Sequence, residues 1–123
     1  EEKLIPYVKK LQDTGIRVSL FVDPDRQQIE AAGRIHANIV ELHTGTYAEI
    51  PSQQNLEAIT DCAIQAHDLG LEVHAGHGLN YENTPPIAAI PHIMELNIGH
   101  FLMGEAVFEG LPRVISEMKK AMS

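Results

Sequence analysis

Short apolar runs alternate with longer amphipathic stretches along the chain, and this alternation predicts a repeating order of strands and helices. Runs rich in β-branched and aliphatic residues predict strands at 16–22, 38–43, 71–75 and 95–98. Stretches with apolar residues at helical spacing predict helical segments at 4–14, 26–35, 53–69, 87–90, 101–108 and 112–122. Strands that alternate with helices form βαβ crossovers, so we expect a parallel sheet of the α/β class.

Glycines and a capping serine mark the ends of the predicted helices. Gly15 and Gly70 each follow a helical stretch and precede a strand, a position where glycine ends a helix by adopting a left-handed conformation. Ser52 precedes the longest stretch, where its hydroxyl is suited to cap the first amide groups. Because no linker or low-complexity segment interrupts the pattern, we expect residues 1–123 to belong to a single domain.

The composition is that of a globular domain and narrows the possible partners. Of 123 residues, 44% are hydrophobic and 21% are charged, and the formal net charge is −8. Binding to nucleic acid or to an anionic membrane requires a basic face, which this chain lacks, so a phosphate ligand would be held by backbone amides or by one or two side chains. The single cysteine, Cys62, excludes an internal disulfide and fits a reducing cytosol. No apolar run approaches the roughly 20 residues of a membrane span, and a start at Glu1 without methionine favours a piece of a longer protein.

Polar and glycine residues follow the predicted strands at their carboxyl ends, which meet at one edge of a parallel sheet. They are Asp23, Glu41, His43, His77, Gly99 and His100. Parallel α/β folds build their active sites at this edge. In an open, doubly wound sheet only the strands at the switch point usually contribute, whereas here every predicted strand does. This favours half of a (β/α)8 barrel over a small doubly wound sheet.

Glu41 lies inside the second predicted strand, between apolar neighbours. Alternation places its side chain on the same face as Ile39 and His43. In a barrel this face is the interior, where an unpaired carboxylate is costly unless it has a function. The alternative is a glutamate near the end of a strand that reaches solvent or a neighbouring lysine.

Two turns carry residues suited to acid–base chemistry and to anion binding. His77 stands between two glycines, which permit positive φ and a close approach of a ligand, and histidine is suited to proton transfer near neutral pH. A simple turn histidine is the alternative. Gly99 and His100 join the last strand to a helix, whose first free amides form an anion site. The loops after the last two strands of a barrel are a common phosphate position.

The other histidines and the cysteine point to no chemistry. Strict alternation places His74 on the face opposite His77, so the two cannot form a metal-binding pair. We expect Cys62 to be a small buried hydrophobe, because it lies in the middle of a helix beside Ala63. Helix surfaces and loops hold the remaining histidines, which we expect to be solvated: His36, His67 and His92.

Three segments, in this order, resemble the pyridoxine 5′-phosphate synthase family. They are Val40-Glu41-Leu42-His43-Thr44-Gly45-Thr46-Tyr47-Ala48, Ala75-Gly76-His77-Gly78-Leu79-Asn80-Tyr81 and Glu95-Leu96-Asn97-Ile98-Gly99-His100. Segments 18–23 and 87–91 are similar to the family as well. The resemblance covers essentially the whole chain, but only the carboxyl-terminal half of a family member.

The resemblance implies a fold, an assembly and a reaction. The fold is a (β/α)8 TIM barrel with extra helices, of which residues 1–123 would supply about the last four β/α units. Family members form homo-octamers in the bacterial cytoplasm. They condense 3-amino-2-oxopropyl phosphate with 1-deoxy-D-xylulose 5-phosphate by acid–base catalysis and yield pyridoxine 5′-phosphate, inorganic phosphate and water. This reaction implies no cofactor and no metal.

The resemblance also implies roles for individual residues. His77 would be the proton donor, and Glu41 would stabilise the transition state. Gly78, Gly99 and His100 would bind 3-amino-2-oxopropyl phosphate. The family's two general bases and most of its contacts to deoxyxylulose phosphate belong to an amino-terminal half that has no counterpart here. We therefore expect this chain alone to be inactive.

Two hypotheses from other classes stay open. The first is a non-catalytic half-barrel that binds phosphate and forms a homodimer. The second is a metal-dependent barrel hydrolase that uses His43, His77 and His100, although no carboxylate–histidine spacing typical of metal ligands supports it.

Overall fold

The computed structural model describes residues 1–123 as alternating strands and helices. The strands are β1 (Ser19–Val22), β2 (Ile39–His43), β3 (Glu72–Gly76) and β4 (Ile93–Asn97). The helices are α1 (Ile5–Gln12), α2 (Arg26–Arg34), α3 (Gly45–Glu49), α4 (Gln53–Asp68), α5 (Thr84–Ala88), α6 (His100–Glu109) and α7 (Leu111–Ala121). None of these helices combines the length and apolar character that crossing a membrane requires.

The strands form one parallel sheet in the order β1-β2-β3-β4, which confirms the predicted α/β class. Glu41 pairs with Phe21 on one side and with His74 on the other, so these side chains share a face. The strand order follows the chain without reversal. The connections between parallel strands are right-handed. When each connection also leads to the next strand on the same side, all the connecting helices lie on the same face of the sheet.

The helix-covered face of the sheet holds the hydrophobic core. Val40 and Leu42 of β2 are fully buried there, as are Val73 and Ala75 of β3. Apolar residues of α2 and α4 pack on them: Ile29, Ala32, Ile59, Cys62, Ala63 and Ala66. The opposite face is open, and Phe21 on it is 57% exposed.

Local capping follows the predicted signals. The Ser52 hydroxyl accepts a hydrogen bond of 3.2 Å from the Asn55 amide at the start of α4. Gly15 and Gly70 adopt φ values of +83° and +79°, which only glycine takes without a steric cost. At the start of α2, the Asp25 carboxylate accepts hydrogen bonds from the amides of Gln27 and Gln28.

Several elements differ from the prediction: α5 is Thr84–Ala88 rather than 87–90, and β4 is Ile93–Asn97 rather than 95–98. The first strand begins at Ser19 rather than at residue 16, because the Val18 amide donates to the Asn38 side chain, at 2.8 Å, instead of continuing the ladder. The helix α3 (Gly45–Glu49) is not among the predicted helices. Tyr47 anchors this short helix: it is buried, and its hydroxyl donates to the Asn83 carbonyl at 3.0 Å.

The core predicts how two isoleucines of α4 respond to truncation. Ile59 is 1% exposed and Ile64 is 41% exposed. We expect Ile59→Ala to lower the free energy of unfolding by about 2–5 kcal/mol, because it leaves a cavity under the sheet. Ile64→Ala, the matched control in the same helix, should cost less than about 1 kcal/mol. Urea denaturation of both variants tests this, and equal losses would contradict the assigned packing.

Candidate active site

One cavity lies at the carboxyl edge of the sheet, between the ends of β1, β2, β3 and β4. It measures about 740 Å³. The five residues that the family resemblance implies for the site line it: Glu41, His77, Gly78, Gly99 and His100. Asp23 and His43, which the sequence also placed at this edge, are not among the lining residues. The structure therefore brings together residues that are up to 59 positions apart in the chain (100 − 41).

Glu41 reaches this cavity across a glycine of the neighbouring strand. A Cβ atom at Gly76 would lie 2.6 Å from Glu41 Oε1 and 2.7 Å from the Asn97 carbonyl oxygen, closer than such atoms approach. Gly76 is therefore needed for space rather than for an unusual φ. Glu41 itself is half-buried, and it forms no ion pair or side-chain hydrogen bond within the chain.

His77 has a left-handed backbone, with φ of +87°. This conformation is costly for a residue with a Cβ atom, by about 1–3 kcal/mol, and is typical of functional sites. Gly78 follows with φ of +75°, and a Cβ there would lie 2.6 Å from Ala48 Cβ. The result is that the His77 side chain is exposed in the cavity.

A buried threonine holds the turn that carries His77. Thr44 Oγ1 lies 2.8 Å from the Gly76 carbonyl oxygen and 2.6 Å from the His77 carbonyl oxygen, so its single proton is shared between them. The Thr44 amide also donates to the Gly76 carbonyl, at 2.8 Å. These bonds satisfy polar groups in a fully buried environment and offset part of the backbone strain.

A second histidine lies next to His77. The ring centroids of His43 and His77 are 4.7 Å apart, and the rings are tilted by 49°. His43 Nδ1 lies 3.3 Å from Asp23 Oδ1, at the end of β1. The sequence had grouped Asp23 and His43 at this edge of the sheet but had not predicted their contact.

Gly99 and His100 form the start of α6, as the anion-site hypothesis required. Gly99 occupies the capping position, and no side chain caps the helix there. Gly99 and His100 are exposed, and a Cβ atom at Gly99 would meet nothing within 4 Å. The first amides of a helix lack intrahelical partners and carry partial positive charge, which suits a phosphate group.

Sequence reasoning missed the remaining lining residues, which are Phe21, Leu79, Asn80, Asn97, Ile98 and Phe101. Asn97 follows the alternation rule, because it pairs with Gly76 and shares the face of Glu41. The turn that contains Asn80 is rich in asparagine and proline, a composition that predicts side-chain bonding to the backbone. In the structure, Asn80 Oδ1 accepts hydrogen bonds from the Glu82 and Asn83 amides.

His74 does not lie opposite His77, which corrects the prediction from strict alternation. His74 pairs with Glu41 and therefore shares its face. The left-handed backbone at His77 ends the alternation after Gly76, so His77 reaches the cavity that Glu41 also lines. The His74 ring bonds Glu72 at 2.8 Å, and Glu95 lies 3.5 Å away. Hydrogen bonds from Arg17 and then from His74 hold the pKa of Glu72 below its ordinary value.

The other candidates behave as the sequence predicted. Cys62 is buried, and burial raises the pKa of its thiol, which disfavours the reactive thiolate. His36 is exposed, and His67 and His92 are exposed with their rings stacked 3.8 Å apart. No group of three or more His, Cys, Asp or Glu residues is arranged to hold a metal ion, which leaves the hydrolase hypothesis without a ligand set.

Known proteins resemble this chain over its whole length. It is 49% identical to pyridoxine 5′-phosphate synthase of Ruegeria pomeroyi, in an alignment that covers 99% of this chain and 52% of the relative. It is 51% identical to the protein of that name from Magnetococcus marinus and 48% identical to that from Photobacterium profundum, with 98% of this chain and 51% of each relative covered. The chain thus spans about half the length of these relatives.

A family model agrees with the relatives. The model described as pyridoxal phosphate biosynthesis protein PdxJ matches residues 1–123, which is the entire chain. This match includes all the residues that line the cavity. The chain therefore belongs to the pyridoxal phosphate biosynthesis protein PdxJ family.

Proposed function

We propose that this chain is the carboxyl-terminal half of a pyridoxine 5′-phosphate synthase and works within a complete (β/α)8 barrel. One observation carries the proposal: the five residues that the family resemblance implies for the site line a single cavity. The names of the relatives support the same activity. The reaction is the condensation of 3-amino-2-oxopropyl phosphate with 1-deoxy-D-xylulose 5-phosphate.

The open face and the free edges of the sheet support completion by a second half. The strands β1 and β4 each have only one neighbour, and exposed edges of this kind favour pairing with further strands. A second set of strands would pair with both edges and enclose the cavity. Since the relatives are about twice as long as this chain, the second half belongs to the same polypeptide in the arrangement we propose.

The geometry supports a separate role for each of three groups in the cavity. His77, exposed on its turn, donates protons to oxygen atoms that leave as water or phosphate during ring closure. Glu41, negatively charged and half-buried, stabilises the cationic character of imine-like transition states. The start of α6 at Gly99 and His100, together with Gly78, binds the phosphate of 3-amino-2-oxopropyl phosphate.

A phosphate-binding half-barrel that forms a homodimer is the alternative. A second copy of the chain could cover the same edges, and the start of α6 would still bind phosphate. This arrangement would place two identical half-sites in one barrel and lack the general bases of the family. The family's homo-octamer and cytoplasmic location stay predictions from the resemblance.

Growth of a pyridoxine-requiring bacterium that lacks the synthase tests the proposal. We expect the complete polypeptide that contains this chain to restore growth without pyridoxine, and residues 1–123 alone to fail. The intact mass of the native protein should be near twice 13.6 kDa. Failure of the complete polypeptide would overturn the proposed activity, and growth with residues 1–123 alone would overturn the need for a second half.

Two substitutions at His77 separate its chemistry from its backbone strain. Both His77→Ala and His77→Gly should lower kcat by about 100-fold or more in the complete protein, because each removes the proton donor. The glycine variant should be more stable than the alanine variant by about 1 kcal/mol, since φ of +87° disfavours a Cβ atom. Steady-state kinetics and urea denaturation measure these quantities. Unchanged turnover in both variants would disprove the assigned role.

Gly99→Ala tests the phosphate site at α6. The added methyl group meets no protein atom within 4 Å, so stability should not fall, but the methyl occupies the space of the ligand. We expect KM for 3-amino-2-oxopropyl phosphate to rise by about 10-fold or more, as expected for the loss of one charge-assisted hydrogen bond. The control is Gly104→Ala, also in open space on α6 but outside the cavity, which should leave KM unchanged. An equal KM in both variants would place the phosphate elsewhere.

A further inference from the structure

We propose that His43, held by Asp23, is a positioning residue that fixes the orientation of the His77 imidazole. This inference rests on the proposed function, in which His77 donates protons. Three contacts carry it: the pairing of His43 with Asp23, the ring contact of His43 with His77, and the close fit of both rings against Gly45. The family resemblance assigned no role to Asp23 or His43.

The pairing with Asp23 fixes the rotation and the tautomer of His43. His43 Nδ1 lies 3.3 Å from Asp23 Oδ1. An ionised carboxylate only accepts hydrogen bonds, so this contact favours the tautomer with the proton on Nδ1. A neutral His43 then has its lone pair on Nε2, on the side of the ring away from Asp23. The carboxylate therefore selects one of the two orientations of the His43 ring relative to His77.

Two neighbours hold the His43 ring in place. Phe21 packs edge-on against it, with centroids 5.0 Å apart and an interplanar angle of 81°. Gly45, the first residue of α3, also lies against it: a Cβ there would be 2.7 Å from His43 Cε1 and 2.8 Å from Nε2. Because φ at Gly45 is not in the left-handed region, this glycine is needed for the space that the ring fills.

The His77 ring depends on this support. Its backbone is fixed by Thr44, but its imidazole forms no hydrogen bond to another side chain of the chain. The neighbouring groups are the His43 ring, 4.7 Å away between centroids, and Gly45, where a Cβ would be 3.3 Å from His77 Cδ2. A proton donor must lie within hydrogen-bond reach of the departing oxygen, so a ring free to rotate would donate less often.

Two variants disturb this arrangement in different ways. Asp23→Asn keeps the shape of the side chain but removes its charge and its obligatory acceptor role. Gly45→Ala keeps Asp23 and His43 but places a methyl group where the His43 ring lies. Asp68→Asn serves as the control for charge, because Asp68 is exposed at the end of α4, outside the cavity.

The test measures kcat and KM of the complete protein and the orientation of His77 in crystal structures of each variant. We expect Asp23→Asn and Gly45→Ala to lower kcat by about 10- to 100-fold, with both KM values within about twofold of the parent. We also expect a rotated or disordered His77 ring in both crystal structures. Asp68→Asn should match the parent in both measurements.

Other results would overturn the inference. An unchanged His77 ring with unchanged kcat in both variants shows that His43 does not position it. A rise in KM without a loss of kcat identifies Asp23 as a substrate contact instead. If the complete parent protein has no synthase activity, the proposed function fails, and the His77 ring in the variant crystal structures still decides whether His43 holds it.

Discussion

Each strand pairs with the next strand of the chain, so every crossover connection advances in the same direction across the sheet. The rest of the structure depends on this constraint. Because the strand order follows the chain, α2 and α4 lie on one face and bury Val40 and Leu42. Alternation then sends the odd-numbered residues of β2, including Glu41 and His43, to the uncovered face. In an open sheet whose strand order reverses, helices cover both faces, and a ligand binds only in the crevice where the order reverses. Here the whole uncovered face is available to a site.

Sequence periodicity predicted the parts of the fold that depend on this alternation, and failed where a particular contact decides the outcome. The four strands, the cap at Ser52 and the polar carboxyl edge follow from local patterns. The late start of β1 depends on the Asn38 side chain, and α3 depends on a hydrogen bond from Tyr47 to a loop 36 residues away. Such contacts join distant parts of the chain and leave no periodic signal.

His77 shows the same limit inside the site. Its type and its glycine neighbours marked it as a candidate, but alternation predicted the wrong relation to His74, because no pattern reports a positive φ at a residue other than glycine. The strain has a structural purpose. It turns the side chain out of the strand direction into the cavity, and Thr44 compensates by bonding the two carbonyls of the turn. A glycine at position 77 would relieve the strain but would carry no imidazole.

Two glutamates on the open face, Glu72 and Glu41, differ in whether they have a partner within the chain, and this difference distinguishes a structural carboxylate from a functional one. Glu72 forms an ion pair with Arg17 and a hydrogen bond with His74 within the chain, so it can be enclosed without an unpaired charge. Glu41, on the same face, has no such partner among the residues of this chain. Enclosure in the barrel we propose would make an unpaired carboxylate costly by several kcal/mol, unless a cation faces it. The partner of Glu41 must then come from the other half of the barrel or from the substrate. In the condensation we propose, a cationic intermediate would meet this requirement, and Glu41 would stabilise it most when its positive charge is greatest.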